Sequence, residues 1–299
     1  MRAGSFRQRR MVEERNLQIR GLRLTARVWG PLHGVPVLAL HGWLDNAASF
    51  DALAPLLPGL QLAAIDLPGH GSSGHRPPGA HYHFVDFIPD VLAAADALGW
   101  ERFALLGHSM GGGIASFLAA IYPERVTRLA MIEGLGPPTS QAADGPVNLR
   151  RSIEQMNALR HKKPPVYPNI EAAIQARCQG SGLSWAAATR LVERGVQAVS
   201  RGFVWRTDPR LRFASPLYLS EPQILAYMEQ IRAPALLLCG DAGYLVKRAY
   251  MQERYARVAD LRVVIVPGGH HPHLEEPESC ARWLRSFLTA ASSDLEERR

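Results

Sequence analysis

The hydrophobic pattern along the chain switches between two periods, and this predicts strands separated by helices. Residues 21–29 (GLRLTARVW) alternate apolar and polar side chains, the period of a half-exposed strand. Residues 35–40 (VPVLAL), 60–65, 102–106 and 126–132 are short continuous apolar runs, which read as strands buried on both faces. Between them, 48–57, 84–98 and 109–122 space their apolar residues for helices. Turn-rich joins punctuate the elements, notably His41-Gly42, Pro58-Gly59 and Asp66-Leu67-Pro68-Gly69-His70-Gly71. From 134 to 232 the rhythm breaks into Pro-rich connectors and amphipathic stretches, such as 147–159 and 184–199. It then resumes, with strands at 235–239 and 261–266 and helices at 246–258 and 277–290.

Strand–helix alternation implies an α/β fold, with a mainly parallel central sheet and helices on both faces. The expected organisation is a disordered tail at 1–19, a core at 20–133 and 233–292, and an inserted helical cap at 134–232. Ligands of such sheets bind at the carboxyl ends of the strands, so a cap there would roof the site.

Composition narrows the function classes. A chain of 299 residues with 47% hydrophobic and 20% charged side chains can build a sizeable core. The net charge of +7 comes from basic residues scattered along the chain, with no basic stripe interleaved with aromatics, so no nucleic-acid partner is expected. No apolar run reaches the roughly 18 residues of a membrane span. The basic N-terminus lacks the apolar stretch of a secretory signal. The cysteines, Cys178, Cys239 and Cys280, are odd in number and widely spaced, which suits free thiols in the cytoplasm.

The strongest chemical signal is Gly107-His108-Ser109-Met110-Gly111, set between a buried strand and a helix rich in small residues. A serine there sits on a tight strand-to-helix turn that lifts its hydroxyl above the sheet, which marks Ser109 as a nucleophile. A serine hydroxyl needs a base. The stretch Gly268-Gly269-His270-His271-Pro272-His273 follows the last strand and brings histidines to the same sheet edge. His270 is the expected base, with His271 and His273 shaping the loop and a metal site as the other reading of the cluster. The base needs a carboxylate. Glu133, ending one strand, and Asp241, ending the next, both lie between serine and histidine in chain order. The backbone N–H groups of Met110 and Trp43 are the expected oxyanion donors.

These landmarks resemble the α/β-hydrolase superfamily from about residue 20 to 290. More narrowly, HGWLDNAASFDALAPLLP and VPGGHHPHLEEP resemble the serine hydrolase-like proteins, a branch related to epoxide hydrolases and haloalkane dehalogenases. Two departures carry weight. Members commonly place the acid two residues beyond Asp241, where this chain has Gly243. One dehalogenase subgroup instead takes a glutamate from the strand after the nucleophile helix, the place of Glu133, 24 residues past the serine. The resemblance therefore favours Glu133 as the acid. A serine at 109 also disfavours epoxide and haloalkane chemistry, which needs an aspartate nucleophile. The resemblance implies a serine hydrolase of carboxylic esters acting through an acyl-enzyme, on a small-molecule substrate, with no cofactor or metal. Other chemistry of the same fold (C–C bond, lactone or thioester hydrolysis, perhydrolysis) and a catalytically weak ligand-binding role are the alternatives.

Overall fold

The computed structural model describes residues 12–159 and 164–290. Its first half runs β1 (Glu13–Ile19), β2 (Leu22–Trp29), β3 (Val35–Leu40), β4 (Leu60–Ile65), α1 (Phe87–Ala97), β5 (Phe103–His108), α2 (Met110–Ile121) and β6 (Val126–Ile132). An insertion follows with α3 (Gly145–Ala158), α4 (Ile170–Ser181), α5 (Trp185–Gly195), β7 (Val196–Val199), β8 (Gly202–Trp205) and α6 (Glu221–Met228). The chain closes with β9 (Ala235–Gly240), α7 (Met251–Arg257), β10 (Leu261–Val266), α8 (Pro272–Glu275) and α9 (Pro277–Thr289).

Eight strands form one sheet in the order β1-β2-β4-β3-β5-β6-β9-β10. The β1–β2 and β2–β4 pairs are antiparallel and every later pair is parallel. The continuous apolar runs of β3 and β5 bury both faces. Leu38 and Leu105 pack beneath α1, α2 and α6, while Ala39 and Leu106 meet the opposite layer of Phe50, Leu53, Leu284 and Leu288. Parallel strands send their carboxyl ends to one edge. The loops after β3, β5, β6, β9 and β10 therefore converge there.

The structure departs from the expected pattern at four places. Residues 13–19 are not a tail. Leu17 and Ile19 bury against the core, and a two-residue turn with positive φ at Arg20 and Gly21 folds β1 onto β2. The remaining tail residues, 1–11, lie outside the described residues. The 48–57 helix breaks into two short 3-10 turns, because Pro55 cannot donate to a continuous helix. The 184–199 helix stops at Gly195, and β7 pairs with β8 in a small hairpin. Finally, α6 places Ile224 and Met228 in the main core, so the segment at 221–232 belongs to the sheet's helical layer and not to a cap.

The rest of the insertion has its own small core, built from α4, α5 and β7 with Leu274. Polar contacts tie it to the loops at the strand ends. Arg194 binds the buried carboxylate of Asp66 at 2.7 Å. Asn46 donates to the carbonyl of Leu191 at 2.8 Å, and the Trp43 indole donates to that of Leu211 at 2.8 Å. Asp208 accepts from Tyr82 at 2.9 Å.

Candidate active site

The site is assembled from the loops at the carboxyl edge of the sheet. Ser109 joins β5 to α2 with φ 51° and ψ −114°, a strained conformation for a residue with a side chain. Such strain costs of order 1–3 kcal/mol and persists only where the surroundings enforce it. Here they do. A Cβ at Gly111 would lie 2.1 Å from the carbonyl oxygen of Leu40, so only glycine lets α2 approach β3 this closely. The Ser109 N–H donates to Ile132 at 2.9 Å, and its carbonyl accepts from Gly113 at 3.1 Å. The first N–H groups of a helix lack intrahelical partners, so the start of α2 offers donors beside the Ser109 hydroxyl.

The three residues expected to act together meet. His270 Nε2 lies 2.9 Å from Ser109 Oγ. His270 Nδ1 lies 3.2 Å from Glu133 Oε2. A single imidazole bridges a hydroxyl and a carboxylate, which fixes its orientation and can stabilise an imidazolium. Glu133 is buried and leaves β6 with a positive φ of 52°. A buried carboxylate demands partners, and the loop after β9 supplies them. Gly240 N–H donates to Oε1 at 2.9 Å, while Tyr244 and Leu245 N–H donate to Oε2 at 2.6 and 3.3 Å. Burial pushes the Glu133 pKa up, but hydrogen bonds from His270, Tyr244 and Gly240 outweigh it and hold the group below the ordinary carboxylate range.

Asp241 does not reach the histidine ring in this arrangement. Its exposed carboxylate accepts the N–H of Gly268 at 3.0 Å and braces the loop leading to His270. At Gly243, a Cβ would stand 2.2 Å from Glu133 Oε1. Glycine there clears the room that the carboxylate fills.

A cleft of about 440 Å³ opens over Ser109 and His270. Its walls include Trp43 from the loop after β3, and Tyr167, Arg177, Trp205 and Arg212 from the insertion. Met110 follows Ser109 as the first residue of α2, and Trp43 stands in the wall of the same cleft. His273 is buried and pairs with Ser49 Oγ at 2.7 Å, so it braces the loop. His75, His81 and His83 pair elsewhere, His75 with Asp208 at 3.4 Å and the other two with each other.

Sequence reasoning missed a second polar cluster beneath the cleft. Asp45 and His108 are fully buried, and Arg177 of α4 pairs with Asp45 Oδ1. His108 Nε2 lies 2.8 Å from the carbonyl of His270. Burial pushes the His108 pKa down to about 4. Burial alone would raise Asp45, but His108, His271 and Arg177 hold it well below its ordinary value. The one available signal was a histidine, His108, inside the elbow itself.

A serine on a strained strand-to-helix turn of a mainly parallel sheet, with histidine and carboxylate at the same edge, is an arrangement shared with a class of hydrolases. The model of the alpha/beta hydrolase fold family matches residues 35–277, and the chain belongs to that family. Within it, the chain is 36% identical to a serine hydrolase-like protein of Danio rerio, over 97% of this chain and 92% of that one. It is 32% identical to serine hydrolase-like protein 2 of Homo sapiens, over 93% of this chain and 94% of that one. A crystal structure of a hypothetical protein from Pseudomonas aeruginosa PAO1 superposes with a TM-score of 0.87 at 42% identity, covering 93% of this chain and 98% of that one. Family and relatives together support a hydrolase of the α/β fold. Among the described residues no helix is long and apolar enough to cross a membrane.

Proposed function

We propose that this protein is a serine hydrolase of carboxylic esters that works through an acyl-enzyme. The observation that carries the reading is the relay of Ser109 Oγ, His270 and Glu133, at 2.9 and 3.2 Å, on a strained elbow that faces a cleft. Ser109 Oγ attacks the acyl carbon as its proton passes to His270 Nε2. Glu133 holds the ring through Nδ1 and balances the imidazolium. The N–H groups of Met110 and Trp43 receive the oxyanion. The imidazolium then protonates the departing alcohol. Water, deprotonated by His270, attacks the acyl-enzyme, releases the acid and returns the proton to Ser109.

Residues 134–220 act as a cap that roofs the cleft and limits the size of the acyl group. Ester turnover tests the reading. Wild type should hydrolyse a p-nitrophenyl acylate and label with a fluorophosphonate, and Ser109→Ala should lose roughly 10⁴-fold or more in kcat together with all labelling. Equal turnover by folded Ser109→Ala would sink it.

A further inference from the structure

Asp45, His108 and His271 form a cluster that the ester-hydrolysis reading leaves unused. Asp45 Oδ2 stands 3.6 Å from His108 Nδ1 and 3.4 Å from His271 Nε2. One ligand atom from each of the three residues falls within 4.8 Å of the others. These separations are long for charge-assisted hydrogen bonds, which run about 2.7–2.9 Å. Ligand atoms at 2.0–2.1 Å from a tetrahedral zinc ion are spaced about 3.3 Å apart, and the two separations from Asp45, 3.4 and 3.6 Å, are close to that.

The tautomer of His108 sharpens the point. Its Nε2 faces the carbonyl oxygen of His270 at 2.8 Å, and a carbonyl only accepts, so Nε2 carries the proton. Nδ1 is the ring's other nitrogen, and it faces Asp45 Oδ2 at 3.6 Å, too far for a hydrogen bond. Asp45 Oδ2 and His108 Nδ1 are both buried without a hydrogen-bond partner in the protein. Two buried polar atoms that face each other at 3.6 Å without a partner leave a place for an ion between them. The room beside them is kept clear by Gly42, where a Cβ would lie 2.7 Å from His108 Nδ1 and 3.1 Å from Asp45 Oδ2.

From this geometry we infer that Asp45, His108 and His271 form a binding site for a divalent transition-metal ion of the zinc type, separate from Ser109 and Glu133. The surrounding contacts match what such sites require. Metal-bound histidines donate their other N–H to a carbonyl, as His108 does to His270. Metal-bound carboxylates are held by a further donor, as Arg177 holds Asp45 Oδ1. All three ligands line the cleft, which gives the ion an entry path and leaves a fourth position for water. Two imidazoles and one carboxylate select zinc over magnesium, which prefers oxygen ligands.

The site is tested by titrating zinc chloride into the full chain in a calorimeter, independently of any hydrolytic activity. Wild type and Ser109→Ala should each bind one equivalent at this site, and magnesium chloride should give no such binding. His271→Ala and Asp45→Asn should each weaken zinc affinity by at least about tenfold to a hundredfold. His271→Ala changes a side chain at the cleft wall, so it remains informative if Asp45→Asn fails to fold. Cobalt(II) substitution should give the visible bands of a tetrahedral site in wild type and lose them in His271→Ala. Absence of zinc binding by wild type, or zinc affinity unchanged in His271→Ala, would overturn the inference. Either result leaves the role of Ser109 untouched.

Discussion

The carboxyl ends of β6 and β9 lie side by side and carry complementary halves of one arrangement. β6 ends in a carboxylate, Glu133, buried and turned toward His270. β9 ends in a loop that supplies N–H groups from Gly240, Tyr244 and Leu245 to that carboxylate. The only acid in the β9 loop, Asp241, is exposed and serves the backbone of Gly268. One strand end supplies the charge and its neighbour supplies the solvation. The difference teaches that a missing acid at one loop is no sign of a broken site when the adjacent strand fills the same volume.

The largest effects should come from moving the carboxylate between these ends. Glu133→Gly should lower kcat for an activated ester by roughly 10³- to 10⁴-fold, the range seen when a base loses its orienting acid. Adding Gly243→Asp to that variant returns a carboxylate from the β9 side into the space vacated. The double variant should regain about tenfold, a coupling of the size found between residues in contact. No gain would show that the two loops are not interchangeable.

A smaller effect should follow from crowding the carboxylate without removing it. Gly243→Ala drives a methyl group toward Glu133 Oε1, at 2.2 Å before relaxation. Overpacking of this kind costs typically about 1–3 kcal/mol, so the melting temperature should fall by several degrees in a thermal scan. An unchanged melting temperature would mean that the loop relaxes freely.

The smallest effect is in the pH dependence of stability. Glu133 is held below its ordinary carboxylate pKa in the folded protein. Its contribution is therefore fully present above the unfolded value and lost as the pH falls through the folded one. Glu133→Gln turns an all-acceptor group into one with two donors facing backbone N–H groups, at a cost of about 1–3 kcal/mol. The gap in melting temperature between wild type and Glu133→Gln should be level above the ordinary carboxylate pKa and narrow below it. A gap that widens on acidification would contradict the assignment of a depressed pKa.

Much of this was legible in the sequence, for physical reasons. The runs at 35–40, 60–65 and 126–132 are apolar at consecutive positions, which only a strand covered on both faces tolerates, and each became a strand with those bounds. Ser109 was legible because the turn it occupies demands small neighbours on both sides. The elements that were missed depend on contacts rather than on period. β1 is mostly polar, and its two buried residues gain their meaning from pairing with β2. α6 is short, with its apolar residues run together at its C-terminal end, and its place in the core is set by α2 and α7. The cluster of Asp45, His108 and Arg177 joins residues from three distant segments. Apart from the histidine inside the elbow, spacing along the chain carries no trace of it.

The central claim is that the strand end at β6, and not the one at β9, serves His270. The most direct measurement is kcat/KM for a p-nitrophenyl ester with Glu133→Gln and Asp241→Asn side by side, both checked for folding. The account predicts a loss of roughly 10²- to 10⁴-fold for Glu133→Gln and, for Asp241→Asn, a value within about threefold of wild type, since only an exposed hydrogen bond is altered. The reverse order, with Asp241→Asn the more damaging, would contradict it.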